Sequence, residues 1–524
     1  MVGEVVRYKV YLLQDARTTE SKVVRVDWYS PDGKLMEKQL LAMKDGLASG
    51  SFRIPLRGAE GYYSFNAYTV KNLNYDNDFV FRKSIPVYNN LAETRGETIL
   101  VSDKTIEHKI PYAKGAIAAT LQTDKATYAR REPVALSIEL KDKSGNPVAG
   151  NLSVRVLDAK AMPLDLFPEK SIAAVAESYG LVPSSPEVNH RAAEQSMVIS
   201  GQVINPDNGA IVHEKYLSLY IVEDKTFRRF STKETDTFRL AIPAFYGNRT
   251  IQVLSMNPNY PQALRWVPTD PSIKPAINRA GLPRSADLAR YLQQEQMRRK
   301  ISDIFRLDQD SLESSKSSAL AGLTPDNTYL MSNYQNLESV GEFFREIAIK
   351  SELLENAKGK RLRIFDGDNN EMNHLPVFFM VDGVFISDAD RVLQLPFNKI
   401  ERIDLFSKRG TIKNQLDSLM FHGGVIAIYT KVGRQQPIAE GLEEGMYVHG
   451  LTPETPFVVP HQNPRVPDFR PLLYWNSNIM VGRDGKAQVQ FPTSDAVTEF
   501  TVRVEGVSAS GEPVIGEIPL IVNK

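Results

Sequence analysis

The sequence predicts a mostly β, multidomain fold made of β-sandwiches, with one small α/β module and helical connectors. Short segments rich in Val, Ile, Phe and Tyr recur along the chain, and Gly, Asp, Asn and Pro separate them, which is typical of antiparallel sandwiches. The chain has 524 residues, more than one hydrophobic core usually accommodates. Helical periodicity is limited to a few segments between these strand-like regions.

Composition excludes several function classes. Lys and Arg together number 63, as do Asp and Glu, so no overall positive field favours nucleic acid or anionic lipid as a partner. The absence of cysteine excludes disulfides, thiolate nucleophiles, iron–sulfur clusters and cysteine-based zinc sites, and it leaves the compartment open. No apolar run approaches the roughly 18 residues of a membrane helix, so the sequence predicts no transmembrane span.

The first sandwich is predicted over residues 1–90. Strand-like segments at 5–11, 23–29 and 61–69 are separated by turn-forming words such as the Pro-Asp-Gly-Lys at 31–34. Each strand is short and partly alternating, which indicates a sheet with one face in a core.

A second sandwich is predicted over residues 91–160, as a weak internal repeat of the first. The segment 128–134 overlays on Gly3-Glu4-Val5, but the D-K-x-x-Y word at 124–128, which precedes Glu132, has no counterpart before Glu4. The first residues also lack the basic and apolar regions of a signal peptide. We therefore expect the chain to begin inside a longer polypeptide, downstream of an export signal.

The middle of the chain alternates between connectors and a third β unit. Residues 161–195 are predicted as a connector with one short helix at 171–179, and residues 196–265 as a β-sandwich. Residues 266–350 are predicted as a linker, rich in Pro and Asn at its start, that contains two helices.

The two linker helices are predicted from their caps and apolar periodicity. The first covers 285–306, with Ser285 as N-cap, an apolar stripe of Leu288, Leu292 and Met297, and the basic run Arg298-Arg299-Lys300 on its solvated face. The second covers 337–349, and its apolar side contains Val340, Phe343, Phe344 and Ile347. The polar segment 311–318 between them is expected to be mobile.

The small α/β module is predicted over residues 351–432, and a last β domain over 433–524. Three apolar runs between Leu375 and Lys431 define the module. Asp382-Gly383 is predicted to be a hairpin turn, because Gly tolerates positive φ. Gly423-Gly424 is predicted to bend the chain sharply into a strand at 425–430.

These runs resemble the plug domain of TonB-dependent outer-membrane receptors, which has a DG hairpin, an I-E-x-I-(D/E)-(V/L) strand and a closing G-V-I-x-I-x-T-K strand. The middle word is matched by Ile400, Glu401, Ile403, Asp404 and Leu405, and the closing word by Gly424, Val425, Ile426, Ile428, Thr430 and Lys431. In those receptors the plug sits inside a transmembrane barrel, for which too few residues follow here. The resemblance therefore implies an adaptor module and not a transport gate.

The β units resemble two other families. The macroglobulin-like, immunoglobulin-like domains of the alpha-2-macroglobulin superfamily are matched by the words at 3–6, 44–46, 61–63 and 151–158, and more loosely at 469–476. Residues 199–203 resemble the opening of a carboxypeptidase-regulatory-like sandwich. In this combination the chain resembles envelope proteins of Bacteroidota-type bacteria. Macroglobulin thioesters require a C-G-E-Q word, so the lack of cysteine excludes covalent protease trapping.

The sequence assigns no catalytic, cofactor-binding or metal-binding residue. The seven histidines form no H-x-x-x-H or H-E-x-x-H pattern. The loop 366–371 could offer oxygen ligands to Ca²⁺, but it lacks the EF-hand Gly and Glu positions, so we interpret it as an Asp/Gly/Asn turn. His422 before the glycine pair could suggest an oxyanion loop, but no G-x-S-x-G word accompanies it, and a turn is preferred.

Aromatic residues leave one further alternative open. Two groups could stack on sugars or peptides: Tyr62, Phe65 and Tyr68, and Tyr474 with Trp475. Strand alternation already predicts aromatic residues at these positions, so we interpret them as sandwich core or as the covering of a sheet edge.

The leading functional hypothesis is a non-enzymatic envelope protein, in the periplasm or at the outer membrane, that binds or scaffolds envelope or outer-membrane protein partners. The sequence names no cofactor and no small-molecule ligand. One alternative is a non-covalent, macroglobulin-like protease inhibitor with a bait segment at about 286–335. Others are an accessory component of an outer-membrane transport or secretion system, and a metal-dependent hydrolase.

Overall fold

A computed structural model describes residues 1–12, 21–74, 80–89, 117–159, 171–178, 192–205, 208–255, 263–269, 273–283, 286–305, 324–356, 359–375, 377–408, 410–412, 423–431, 433, 445–459 and 465–523. Several predicted features lie outside these residues: the N-cap Ser285, the polar segment 311–318, His422, and residues 91–116 of the predicted second sandwich.

The described elements follow one another in this order. The strands of the first part are β1 (Val5–Tyr11), β2 (Val23–Tyr29), β3 (Leu35–Ala42), β4 (Leu47–Arg53), β5 (Gly61–Tyr68), β6 (Phe81–Val87), β7 (Ile117–Thr123), β8 (Thr127–Tyr128), β9 (Pro133–Leu140) and β10 (Gly150–Asp158). Then come α1 (Ile172–Ser178), β11 (Met197–Ile204), β12 (Leu217–Ile221), β13 (Thr226–Phe230), β14 (Phe238–Ile242), β15 (Asn248–Ser255), β16 (Ala263–Pro268) and α2 (Ala286–Phe305). The next elements are β17 (Asn327–Leu330), α3 (Val340–Glu346), β18 (Ser351–Asn356), β19 (Gly359–Asp366), β20 (Glu371–Met372), β21 (Phe378–Val381), β22 (Val384–Ile386), α4 (Ala389–Leu393), β23 (Ile400–Phe406) and β24 (Val425–Thr430). The chain ends with β25 (Met446–His449), β26 (Leu472–Val481), β27 (Lys486–Pro492), β28 (Glu499–Ser508) and β29 (Pro513–Val522).

The chain forms two compact units. Unit 1 contains Met1–Gln195, Ile273–Leu312 and Leu451–Lys524, and unit 2 contains Ser196–Ser272 and Glu313–Gly450. Both units are dominated by strands, so the predicted mostly β, multidomain fold is confirmed.

The first sandwich of unit 1 lies within the predicted range 1–90. A four-stranded sheet, β3-β2-β5-β6, packs on the antiparallel pair β1–β4. Trp28 is at the centre of the core, with its ring centroid 4.4 Å from that of Phe52 and 4.6 Å from that of Phe65. Phe65 and Tyr68 are buried, as the core interpretation predicted.

Two distant parts of the chain build the second sandwich of unit 1. β10 lies between β26 and β28, and β9 pairs with β27. One core collects buried side chains from both parts, including Leu136 and Val154 from the first and Phe500 and Val502 from the second. The sequence placed separate sandwiches at 91–160 and 433–524. The structure instead pairs the described strands of both parts into one composite sandwich, because they bury their apolar side chains in a single core.

Helix α2 belongs to unit 1, and its buried side differs from the prediction. Leu288 and Glu295 are buried, whereas Met297 is 60% exposed. Nine residues separate Leu288 from Met297, about two and a half helical turns, so the two side chains point in opposite directions. The basic run is solvated only in part: Lys300 is exposed, whereas Arg299 donates to the backbone oxygen of Val2 and Arg298 pairs with Glu295.

The first module of unit 2 is the predicted third β unit. Its sheet has the order β13-β12-β15-β16-β11-β14, and β25 joins β15 through the register Asn248↔His449. The module therefore extends past the predicted end at residue 265, to β16, and takes one further strand from much later in the chain.

The second module of unit 2 is the predicted α/β module, which begins earlier than residue 351. Its five-stranded sheet has the order β17-β23-β24-β21-β22, with β21 and β24 parallel. A smaller sheet, β18-β19-β20, and the helices α3 and α4 complete it. The predicted apolar side of α3 is confirmed, because Val340, Phe343 and Phe344 are buried, and they share one core with Ile403 and Ile426. The helix therefore belongs to this module and not to a linker.

The Asp382-Gly383 turn and the bend at Gly424 form as predicted. Asp382 has φ 46° and Gly383 has φ 88°, the two positive values of a type I′ hairpin, and they join β21 to β22. The Asp382 carboxylate accepts hydrogen bonds from the backbone nitrogen of Thr430 at 2.9 Å and from its hydroxyl at 2.6 Å. The turn is thereby tied to the end of β24.

Candidate functional site

The described residues contain no group of three or more His, Asp or Glu placed to hold a metal ion. His449 Nδ1 lies 2.7 Å from Asn248 Oδ1, and His213 Nδ1 lies 3.2 Å from the oxygen of Thr232. Both contacts join neighbouring strands or loops of the unit 2 sandwich. These histidines therefore have structural partners.

The acidic loop between β19 and β20 is a turn in which the Asp366 carboxylate accepts hydrogen bonds from residues that follow it. The Asp366 carboxylate accepts from the nitrogens of Asp368 at 2.9 Å and Asn369 at 3.3 Å, and from Asn369 Nδ2 at 2.8 Å. Asp366 is 4% exposed, and Asn370 has the positive φ of 58° that closes such a turn. This is the Asp/Gly/Asn turn that the sequence predicted.

The aromatic residues weighed as a stacking surface pack within unit 1. The ring of Tyr474 stacks on that of Phe491, with centroids 5.3 Å apart, and Phe457 covers it at 6.3 Å. Tyr474 therefore packs against two other rings of unit 1, one stacked and one edge-on.

One sheet edge of unit 2 is closed by a side chain. β22 ends the five-stranded sheet, and Gln252 of β15 pairs with it as a backbone group would. Gln252 Nε2 donates to the oxygen of Phe385 at 2.8 Å, and the nitrogen of Phe385 donates to Gln252 Oε1 at 2.9 Å. This edge is therefore unavailable to another strand.

Two other edges of the same module, at β17 and β18, have no second strand partner among the residues that the structure describes. Each strand hydrogen-bonds to a single neighbour, β23 or β19 respectively. Exposed apolar side chains accompany them: Leu330 is 47% exposed, Leu354 36% and Ile349 95%. β17 contains neither Lys nor Pro, the residues that commonly block strand addition at an edge. We call β17 and β18 the open edges.

Helix α3 contacts both open edges. The ring of Tyr329 on β17 meets that of Phe343 edge to face, with centroids 5.3 Å apart. Arg345 at the end of α3 forms an ion pair of 3.2 Å with Glu355 on β18. Helix α3 therefore positions both strands.

A buried carboxylate fixes β17 to the sheet. Thr328 Oγ1 donates to Asp404 Oδ1 at 2.9 Å, and Arg402 Nε lies 3.2 Å from Asp404 Oδ2. Burial raises the pKa of Asp404, and the Thr328 hydroxyl and the Arg402 charge partly offset this. The guanidinium of Arg402 also lies 4.1 Å from the ring centre of Tyr429. The Thr328–Asp404 hydrogen bond therefore ties β17 to β23.

A second polar feature joins the two sandwiches of unit 1. Val6, Tyr8 and Val10 of β1 point into the first core, so Arg7, Lys9 and Tyr11 face the other way. Lys9 Nζ donates to Asn151 Oδ1 on β10, and the Tyr11 hydroxyl lies 3.1 Å from the hydroxyl of Ser153 on the same strand. Burial lowers the pKa of Lys9 to about 7, although the charge of Glu454 opposes this shift.

Glu454 bridges the same two sandwiches. Its Oε2 accepts from the hydroxyl of Ser49 on β4 at 2.6 Å, and its Oε1 accepts from the hydroxyl of Ser477 on β26 at 2.7 Å. Ser49 is the cross-strand partner of Lys9 in the β1–β4 pair. We call Lys9, Asn151, Glu454 and Tyr11 the junction cluster.

The sequence predicted neither the open edges nor the junction cluster. The alternation of Arg7, Lys9 and Tyr11 with three core residues could have marked β1 as a strand with a polar outer face. Nothing local could have named Asn151 as the partner, since it lies 142 positions away.

No family model matches the chain, and no curated protein matches it. Among solved structures, it is similar to trypsin-activated alpha-2-macroglobulin from Escherichia coli, at 11% identity and a TM-score of 0.24. That likeness covers 100% of this chain and 41% of the other. Salmonella alpha-2-macroglobulin reacted with methylamine gives 11% identity and a TM-score of 0.24, with 100% and 38% covered. The chain thus spans about two fifths of the length of these proteins.

A TM-score of 0.24 is too low to assign a fold. The fold class is therefore assigned from the strands and cores described above. A further similar structure is a membrane-anchored protein from Corynebacterium diphtheriae, at 10% identity and a TM-score of 0.14, covering 54% of this chain and 59% of the other. Within the described residues, the helices are too short or too polar to cross a membrane.

Proposed function

We propose that this chain is a non-enzymatic binding or scaffold protein of a bacterial cell envelope, and that it recruits protein partners through the open edges of unit 2. The observation that supports this most directly is the pair of strands β17 and β18, each with one neighbour and each accompanied by exposed apolar side chains. An extended segment of a partner can add to such an edge, with backbone hydrogen bonds for affinity and side-chain pockets for specificity.

The order of segments along the chain supports the same proposal. Unit 1 is completed by strands that precede and follow the whole of unit 2, since β10 pairs with β26 and β28. Unit 2 therefore consists of two insertions in the chain of unit 1, Ser196–Ser272 and Glu313–Gly450, separated by Ile273–Leu312 of unit 1. An inserted module can vary its binding surface without disturbing the framework that holds it.

The test is capture of partners from a bacterial envelope fraction by the full chain and by edge variants. Leu330→Asp and Leu354→Asp place a charge beside each open edge, and we expect each to weaken capture of a specific envelope protein at least about tenfold. Leu56→Asp, at a position 58% exposed in unit 1, is the matched control and should leave capture unchanged. Equal capture by all variants, or no envelope partner at all, would refute the proposal.

The alternative function, protease inhibition, requires that a protease can cleave within the segment 286–335. Most of its first part is the folded helix α2, with Leu288 and Glu295 buried, so a protease would have to unfold this helix to use it as bait. Incubation with broad-specificity proteases, followed by small-angle scattering and residual protease activity, separates the two functions. Cleavage that compacts the molecule and protects the protease would favour the inhibitor.

A further inference from the structure

We propose that Lys9 and Asn151 join through an intramolecular isopeptide bond, which covalently links the first sandwich of unit 1 to the composite sandwich. The two side chains come from different modules, β1 and β10, and meet directly across the junction. The bond is independent of the function proposed for unit 2.

The nucleophile would be the Lys9 amine. Its Nζ is within hydrogen-bond distance of Asn151 Oδ1, which places it next to Cγ, the atom one bond further on. The amine also lies 4.9 Å from the ring centre of Tyr11, whose hydroxyl is tied to the composite sandwich. An amine already held against its electrophile reacts far faster than one that must find it by diffusion.

The protonation state of Lys9 suits this role. Only a neutral amine is nucleophilic, and an ordinary surface lysine is almost entirely protonated at neutral pH. Burial at the junction lowers the pKa of Lys9 to about 7, so a large fraction of the amine is neutral under physiological conditions.

The electrophile is held with its leaving group engaged. Asn151 Nδ2, the atom that would depart, donates to Asn478 Oδ1 at 2.6 Å. Asn478 lies on β26, one residue from Ser477, which donates to Glu454. The amide can therefore turn little, and its Oδ1 stays directed at Lys9.

Glu454 supplies the proton transfer. Its bonds to Ser49, the cross-strand partner of Lys9, and to Ser477, beside Asn478, hold its carboxylate at the junction, where its charge acts on the Lys9 amine. As Nζ attacks Cγ, Glu454 accepts a proton from the amine and returns it to Nδ2. The C–N bond to Nδ2 breaks, a new Nζ–Cγ amide forms, and ammonia leaves. No oxidant or co-reactant is required.

The experiment is mass spectrometry of the purified full-length chain under denaturing conditions. We expect the intact protein to be lighter than its sequence mass by one ammonia. Trypsin should release a branched peptide that joins residues 8–17 to residues 144–155, with no cleavage after Lys9. A succinimide would also remove one ammonia, but it would give no branched peptide.

Variants separate the bond from other causes of the mass change. Lys9→Arg and Asn151→Ala should each restore the full mass and abolish the branched peptide, and Glu454→Gln should slow its formation and change its dependence on pH. Lys44→Arg, which replaces an exposed lysine of the same sandwich, should leave the branched peptide intact. Wild-type protein that keeps its full mass and yields only linear peptides after prolonged incubation would overturn the inference.

Discussion

Gln252 on β15 closes the exposed edge of β22 by bonding to both backbone groups of Phe385. The carboxamide donates from Nε2 to the oxygen of Phe385 at 2.8 Å and accepts at Oε1 from its nitrogen at 2.9 Å. Tyr220 and Leu254 of the β-sandwich share a buried cluster with Phe385 and Phe378 of the α/β module. The two modules of unit 2 are therefore joined by a shared apolar cluster, and the two hydrogen bonds between Gln252 and Phe385 lie at this junction.

Replacing Gln252 should weaken unit 2 through this pair. Gln252→Glu keeps the shape of the side chain but loses the Nε2 donor, so the oxygen of Phe385 is left unsatisfied and a charge is buried. We expect the free energy of unfolding to fall by at least about 1–3 kcal/mol, measured by urea denaturation. Gln394→Glu, on an exposed side chain of the same unit, should change it by about 0.5 kcal/mol or less. Equal effects of the two changes would contradict the role of Gln252.

The sequence predicted individual strands well, because alternation and turn residues are local signals. The Asp382-Gly383 hairpin is one such case, since two positive φ values at Asp-Gly are specified by the dipeptide itself. The sequence did not predict that β10 pairs with β26 and β28. Strands of both parts have the same alternating pattern, and the choice of partner depends on which apolar faces remain uncovered after folding.

The same limit applies to the candidate sites. To predict the open edges, one must know which strands end a sheet, and the sequence did not predict β17 as a strand. The junction cluster required two strands from different modules to meet. In α2 the apolar stripe was misplaced because Met297 was counted as part of it, whereas the buried positions are Leu288 and Glu295, and the polar Glu295 gave no apolar signal.

Gly424 should tolerate no side chain. Its φ is +91°, and a Cβ atom there would lie 2.3 Å from Ile364 Cδ1 and 3.0 Å from the oxygen of Phe406. We expect Gly424→Ala to destabilise unit 2 by at least about 1–2 kcal/mol, since both backbone strain and overlap oppose it. Gly410→Ala is the matched control, because a Cβ atom there would meet nothing within 4 Å. The measurement is thermal unfolding of both variants. Similar melting temperatures would contradict the prediction that Gly424 tolerates no side chain.

The buried side of α2 can be tested by truncating two of its apolar residues. Leu288→Ala should lower the stability of unit 1 by about 2–5 kcal/mol, because the side chain is only 3% exposed. Met297→Ala should change it by no more than about 0.5 kcal/mol, because that side chain is 60% exposed. Chemical denaturation of the full chain compares them. A larger loss of stability in Met297→Ala than in Leu288→Ala would support the buried apolar stripe that the sequence predicted.

Acid should selectively weaken the composite sandwich through Arg131 and Asp495, which join its two parts. Arg131 Nε donates to Asp495 Oδ1 at 2.7 Å and its Nη2 donates to Oδ2 at 2.5 Å. These bonds hold the pKa of Asp495 below its ordinary value of 3.8. Because the folded-state pKa is depressed, the stabilisation is complete above about pH 3.8 and is lost as the pH falls through the folded-state value.

We therefore expect Asp495→Asn to lower the melting temperature by a constant amount above about pH 5, and the difference from wild type to shrink below about pH 3.8. Arg131→Met removes the partner that depresses the pKa, so the carboxyl of Asp495 should then titrate nearer to its ordinary value. Its melting temperature should consequently lack the same acid-dependent component, and the double variant should resemble either single variant. A difference between wild type and Asp495→Asn that persists unchanged into acid would show that the pair contributes by packing and not by its charge.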